Sequence, residues 1–399
     1  MQPTALVDLT PMLRLLALAA LVALLPLSWW WLRQRGATVQ RRLAALTAIT
    51  LFLTFDLIVF GAFTRLTDSG LGCPDWPGCY GEASPLGAKA DIHAAQTALP
   101  SGPVTAAKAW IEMLHRYLAM SVGALILVSA AVSWRARAVL PHSPWWATLT
   151  LLWVIVQGLF GKYTVTLKLY PAVVTLHLLG AMVLLALLVL QHESFANRPL
   201  ALARSPSAPS RLSRLSRWVA LVLGAVVLQI ALGGWVSTNY AVLACTGFPT
   251  CNGQWWPAMD AGHGFTPLRE LGRAGHGGYL PFEALVAIHM AHRLFALLAF
   301  AALLALAARL WREPDAVARR YAQALIGLSL WQVASGLSNV VLDWPIVAAL
   351  AHSAGAAALM GVLTSLWARS RVAAGLALPH GGPTPADTRA RGGGGPRTA

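Results

Sequence analysis

The sequence predicts an all-α integral membrane protein, with two repeated four-helix transmembrane bundles plus one extra N-terminal hydrophobic helix. Three observations predict it. The 399 residues are 57% hydrophobic and only 11% charged, with a mean hydropathy of +0.60, whereas soluble proteins carry about 25% charged residues. Nine apolar stretches, roughly 12–32, 43–63, 113–133, 147–167, 173–191, 217–237, 285–308, 322–342 and 347–368, approach or exceed the ~20 residues a helix needs to cross a bilayer. Lipid offers no partner to an open backbone group, so runs of this length read as helices and not as barrel strands. Third, the chain repeats itself at a nearly constant offset.

Residues 1–42 hold the first stretch and a basic loop. Arg14 ahead of an apolar run has the look of a secretion signal. The run continues to Leu32, however, and Arg33, Arg35, Arg41 and Arg42 follow it in place of a small-residue cleavage site. A retained helix is therefore expected. Residues 43–193 form the first four-helix half, with a long polar loop at 64–111 and one carboxylate, Asp56, inside its first span. Residues 194–216, with the run SPSAPSRLSRLS, read as a flexible linker. Residues 217–370 form the second half, with a matching loop at 238–284. The Gly-, Pro- and Arg-rich residues 371–399 read as a disordered basic tail.

A net charge of +15 invites a nucleic-acid partner, but its placement argues against one. When the span ends are assigned alternately to two sides, one side collects 20 of the 30 basic residues, in the loops around 33–42, 135–137, 198–217 and 309–320 and in the tail. The other side holds most of the acids, among them Asp68, Asp75, Glu82, Asp91, Asp260, Glu270 and Asp343. Arginine-rich loops stay in the cytoplasm. The expected location is thus the inner (plasma) membrane, multi-pass, with the C-terminus cytoplasmic and the N-terminus and the two long loops outside, in the periplasm. Lipids are the surrounding medium and no nucleic acid is expected.

The repeat is specific. Gly61, Cys73, Pro77, Cys79 and Gly81 match Gly233, Cys245, Pro249, Cys251 and Gly253 at an offset of 172. IEMLHRYLA (111–119) aligns with IHMAHRLFA (288–296) at 177. Gln157, Gly161, His177 and Gly180 match Gln332, Gly336, His352 and Gly355 at 175. Four histidines recur in this frame: His115 and His177 in one half, His292 and His352 in the other. Within each half they lie on the second and fourth helices, which run in the same direction, one to two turns from the outer end. Ionisable groups inside spans are costly and mark function. Two imidazoles facing each other across a bundle are a usual way to hold a haem iron from both sides. Zinc would want three or four close ligands, and each half offers two histidines. Interhelical hydrogen bonding is the plainer reading of such histidines.

Glu112 lies one turn before His115, where the second half has His289. One half thus places a carboxylate beside its histidine pair, suited to act as a base toward water or to stabilise a cation. The plainer reading is a solvated residue at a helix start. Cys73/Cys79 and Cys245/Cys251 form two C-x5-C pairs on the outer, oxidising side, where disulfides persist. Arg116 and Arg293 each follow a repeat histidine and are candidates to pair with haem propionates or to snorkel toward headgroups. Arg65 is a further candidate anion partner.

GAFTRLTDSGLGCPDWPGCYG (61–81), IEMLHR (111–116), LQIALGGWVSTNYAVLAC (228–245) and IHMAHR (288–293) resemble the heme A synthase family, over a core from about 43 to 368. The resemblance implies oxidation of heme O to heme A, a ring methyl becoming a formyl group, for cytochrome oxidase assembly. It implies a haem b held by His292 and His352 in the C-terminal half. It further implies a substrate haem flanked by His115 and His177, Glu112 as the catalytic acid residue, disulfides at both cysteine pairs, and a role for Cys73/Cys79 in catalysis or transfer. The extra helix at 12–32 departs from the family's eight-helix core. Expected partners are heme O, a farnesylating heme O synthase, an electron acceptor of unspecified kind and, as an option, further copies of the chain. Two other readings stay open on sequence: a di-haem b-type electron-transfer cytochrome and a haem carrier.

Overall fold

The computed structural model describes residues 10–140, 143–196, 208–274 and 278–373. Eleven α-helices occur among them: α1 (Thr10–Arg33), α2 (Val39–Leu66), α3 (Lys89–Ala98), α4 (Ala106–Arg135), α5 (Trp145–Thr166), α6 (Pro171–Ala196), α7 (Ala208–Thr238), α8 (Ala261–Gly264), α9 (Phe282–Trp311), α10 (Ala316–Val341) and α11 (Ile346–Ala373). Among the described residues nine helices, all but α3 and α8, are long and apolar enough to cross a membrane. Backbone groups of such helices bond within the helix, as lipid requires, and several buried hydroxyls do the same. The buried hydroxyls of Thr50 and Thr54, for instance, donate to the carbonyls of Leu46 and Thr50 at 2.8 and 2.7 Å.

Several helices begin or end beyond the apolar runs. Thr105 caps α4, its side chain accepting from the Lys108 N–H at 3.2 Å, so this helix starts seven residues ahead of the hydrophobic stretch at 113. His115 therefore lies nine residues inside Ala106, and His292 ten inside Phe282, while His177 and His352 each lie six inside their helices. The first pair of positions is nearer three turns from the helix start than the expected one to two, because hydropathy reports lipid contact and not helix length. Both ends of the expected linker are helical. α6 runs to Ala196, and α7 opens with an amphipathic turn that buries Leu215 and Val219 and exposes Arg214 and Arg217. Residues 197–207, and the tail beyond 373, lie outside the described residues.

Helices α2, α4, α5 and α6 pack around one another, as do α7, α9, α10 and α11; α6 and α2 meet α11 and α7 between the two groups, and α1 lies against α4. The largest apolar core spans that seam, joining Ile58, Met182 and Leu185 to Val219, Val222, Leu303 and Leu363. Polar contacts pin both ends of the seam. On the cysteine-loop side, Arg65 donates to the Ser237 carbonyl at 2.5 Å and stacks 4.0 Å from the Tyr240 ring, while the Tyr240 hydroxyl donates to Asp68 at 2.5 Å. At the other end, Glu193 accepts from Ser365 at 2.6 Å and from Arg369 at 3.0 Å.

Candidate functional site

The two cysteine loops are built alike. Cys73–Cys79 and Cys245–Cys251 are disulfides, all four cysteines are buried, and each loop closes with a short bridge, Cys79 to Glu82 and Cys251 to Gln254. An arginine rising from the helix below holds each loop by its carbonyls. Arg116 donates to Asp75 at 3.0 Å, to Pro77 at 3.2 Å and to Gly78 at 2.5 Å. Arg293 donates to Gly247, Thr250 and Cys245 at 3.1, 3.2 and 3.0 Å. Both guanidiniums are thus directed into the loops.

The residue one turn back along each helix completes the arrangement, and here the halves diverge. Glu112 is only 4% exposed, in contrast to a solvated helix-start residue. One of its oxygens pairs with the Arg116 guanidinium, and the other accepts the Cys73 backbone N–H at 2.8 Å. At the matching position His289 accepts from Arg293 at 3.1 Å. The first half therefore carries an anchored carboxylate, tied to the disulfide loop through two contacts, and the second an imidazole.

Each of the four repeat histidines faces a glycine on a neighbouring helix. A Cβ added at Gly61 would stand 3.0 Å from Cε1 of His115, at Gly161 3.6 Å from that of His177, at Gly233 2.9 Å from that of His292, and at Gly336 3.2 Å from that of His352. At Gly61, Gly233 and Gly336 even a Cβ would crowd the ring, whereas at Gly161 it would make ordinary contact; the glycines let the imidazoles approach the backbone closely. The His292 and His352 ring centres are 6.5 Å apart with planes at 78°. An iron between two imidazoles, with bonds of about 2 Å to each, needs ring centres roughly 6 Å apart. His115 stacks on Phe60 with ring centres 6.2 Å apart. All four histidines sit among packed helices and are intermediate in exposure. Among the described residues no group of three or more His, Cys, Asp or Glu side chains converges as a metal-ion site.

The surroundings of the two pairs differ in a way that the sequence motifs do not announce. The Gln229 amide lies 3.1 Å from Nδ1 and 3.4 Å from Nε2 of His292, and the Ser335 hydroxyl 3.1 Å from Nδ1 of His352. The positions matching Gln229 and Ser335 in the first half are Leu57 and Phe160. There Nδ1 of His115 and Nδ1 of His177 are buried without a hydrogen-bond partner. Matching the repeat lists what the halves share; these residues are found only by reading the unmatched positions. Asp56 is exposed on α2, one turn from Phe60.

Outside the spans, burial raises the Tyr240 hydroxyl above its usual range at the seam. Burial also lowers Arg269, on the long loop that carries Cys245 and Cys251, below the usual arginine value.

Fold and site together define a polytopic α-helical membrane protein with a histidine pair in each of two four-helix groups. Within that class the chain belongs to the COX15-CtaA family, described as cytochrome oxidase assembly protein, whose model matches residues 44–364. The heme A synthase of Shewanella oneidensis is 38% identical over 334 residues, covering 82% of this chain and 98% of that protein. Those of Methylobacterium sp. (strain 4-46) and Caulobacter vibrioides are 31% and 28% identical, covering 85% and 83% of this chain and 95% and 97% of theirs.

Proposed function

We propose that this chain oxidises a ring methyl of heme O to the formyl group of heme A in the assembly of cytochrome oxidase, and that its two halves divide the work. The observation that carries the division is the unequal support of the histidine pairs. A metal-ligating histidine usually has its second nitrogen held by the protein, which fixes ring and tautomer. His352 has that support from the Ser335 hydroxyl, which can accept its Nδ1–H, and His292 gains it from Gln229 once that amide turns its unpartnered Oε1 toward the ring, so this pair suits a haem b that stays. His115 and His177 lack it, and suit a haem that arrives and leaves as substrate. In this reading residues 43–193 form the substrate half and residues 217–370 the haem b half, as a repeat with diverged pockets, and the cysteine loops face the periplasm.

A resident haem b would supply one-electron relay toward an external acceptor. The chain's own residues do the rest. His115 and His177 orient the substrate ring. Glu112, anchored by Arg116 and the Cys73 N–H, presents a fixed carboxylate beside it, to steer water or to stabilise positive charge developing at the methyl carbon. Two successive oxidations give an alcohol, then a hydrate that loses water to the aldehyde. Arg116 and Arg293 act first as loop anchors; contact of either with a propionate would use only the N–H groups left over. The Cys73–Cys79 loop rests directly on Glu112, which is how it would bear on catalysis or transfer.

Haems extracted from membranes making this chain beside a heme O source test the reading. Heme A or its hydroxylated precursor should accumulate with the intact chain and be absent with His115→Ala. Unchanged heme O from a folded chain supplied with its acceptor would contradict the proposal.

A further inference from the structure

Propionates need cations, and the two arginines nearest the histidines are directed into their loops. A third is not. Arg269 is only 3% exposed, and a guanidinium has five N–H donors. The structure engages two of them: one to Asn239 Oδ1 at 2.5 Å and one to the Arg273 carbonyl at 3.4 Å. Its Nε is buried with no partner, and no carboxylate among the described residues forms an ion pair with it. Only the Trp235 ring, 5.7 Å away, adds to its support. A buried charge without a counter-ion is costly, so such a cation is ordinarily kept for an anion.

Its position suggests which anion. Arg269 lies in the second outer loop, beside Asn239 and Trp235 at the end of α7, and the apolar cluster of Trp235 takes in Ala172 at the start of α6. Ala172 precedes His177 by five residues, about 7.5 Å along a helix, a distance that substituents at the rim of a porphyrin can cover. At the same end of the seam, Thr175 and Thr238 meet at 3.1 Å. The second half thus brings an unneutralised charge to this end of the seam.

We propose that Arg269 is an anion receptor for a haem propionate, completing the porphyrin site at the seam between the halves. This rests on the haem-binding reading above. A charge-assisted, bidentate arginine–carboxylate contact is the strong form of such recognition.

The test uses the full chain, purified in detergent from haem-starved cells and titrated with iron protoporphyrin IX or its dimethyl ester. The intact chain should bind the diacid at least about tenfold more tightly than the diester, the ratio that corresponds to one charge-assisted bond. Arg269→Gln should bring the ratio close to one, and Arg269→Lys should keep part of it. Equal binding of diacid and diester by the intact chain overturns the proposal without recourse to any variant. So does an undiminished ratio in Arg269→Gln or Arg269→Lys protein of normal thermal midpoint, the result expected if a lipid phosphate is the true anion or the role is structural. Failure to bind either porphyrin overturns the haem reading itself, which is a distinct result.

Discussion

Leu57 and Phe160 stand where the other half has Gln229 and Ser335, and this difference of two side chains separates a braced histidine pair from an unbraced one. Losing an outer hydrogen bond to a ligating histidine typically costs about 10–100-fold in metal affinity. Gln229→Leu and Ser335→Ala should therefore each lower haem b retention by that order, read as haem per chain after dialysis, and leave the first pair unaffected. The glycines give a steric counterpart. At Gly233, where even a Cβ would stand 2.9 Å from the His292 ring, Gly233→Val should strip haem b from the purified protein. Glu112→Gln, nearly isosteric, should keep haem content and the loop contact but abolish most formyl product; full turnover by this variant would remove Glu112 from the mechanism. The four histidines were legible in the sequence because ionisable residues are rare in spans and these recur in register. Gln229 and Ser335 were not, because a repeat search rewards identity while their meaning lies in being unmatched. Glu112 was legible as a position but not as a buried one, since burial comes from a loop about forty residues away folding onto it.

At the scale of elements, α4 and α9 act as posts whose arginines hold the cysteine loops, and the Cys73 loop in turn holds the carboxylate. The nine spans were legible from hydropathy, but their ends were not. α4 begins at Ala106, beyond the lipid-matched stretch, and carries Glu112 in the added length. α6 and α11 are clamped at the ends away from the cysteine loops by Glu193, which Ser365 and Arg369 both reach. Its carboxylate and the Arg369 side chain are 11% and 17% exposed, so the pair is only lightly screened. Hydrogen bonds to charged groups contribute about 1.5–3 kcal/mol. Glu193→Ala should lower stability by roughly that much, seen as a lower unfolding midpoint in detergent, with Arg369→Lys intermediate.

For the whole molecule, the shared core and the pinned seam bring the two groups of helices together, with Thr175 of α6 meeting Thr238 of α7. That relation was not legible in the sequence: each half could be laid out from its own motifs, but Arg65 meeting Ser237, and Asp68 meeting Tyr240, are contacts between positions that the repeat itself makes equivalent, 172 residues apart. The account turns on the two histidine pairs having different tasks. The most direct test is the identity and number of haems per chain, by chromatography and pyridine haemochrome, in protein purified with a heme O supply. It predicts that His115→Ala keeps one haem b and yields no formyl haem, while His292→Ala loses the haem b. Equal loss from both variants, or two unmodified haems retained by the intact chain, would contradict the division and make the protein a two-haem electron carrier.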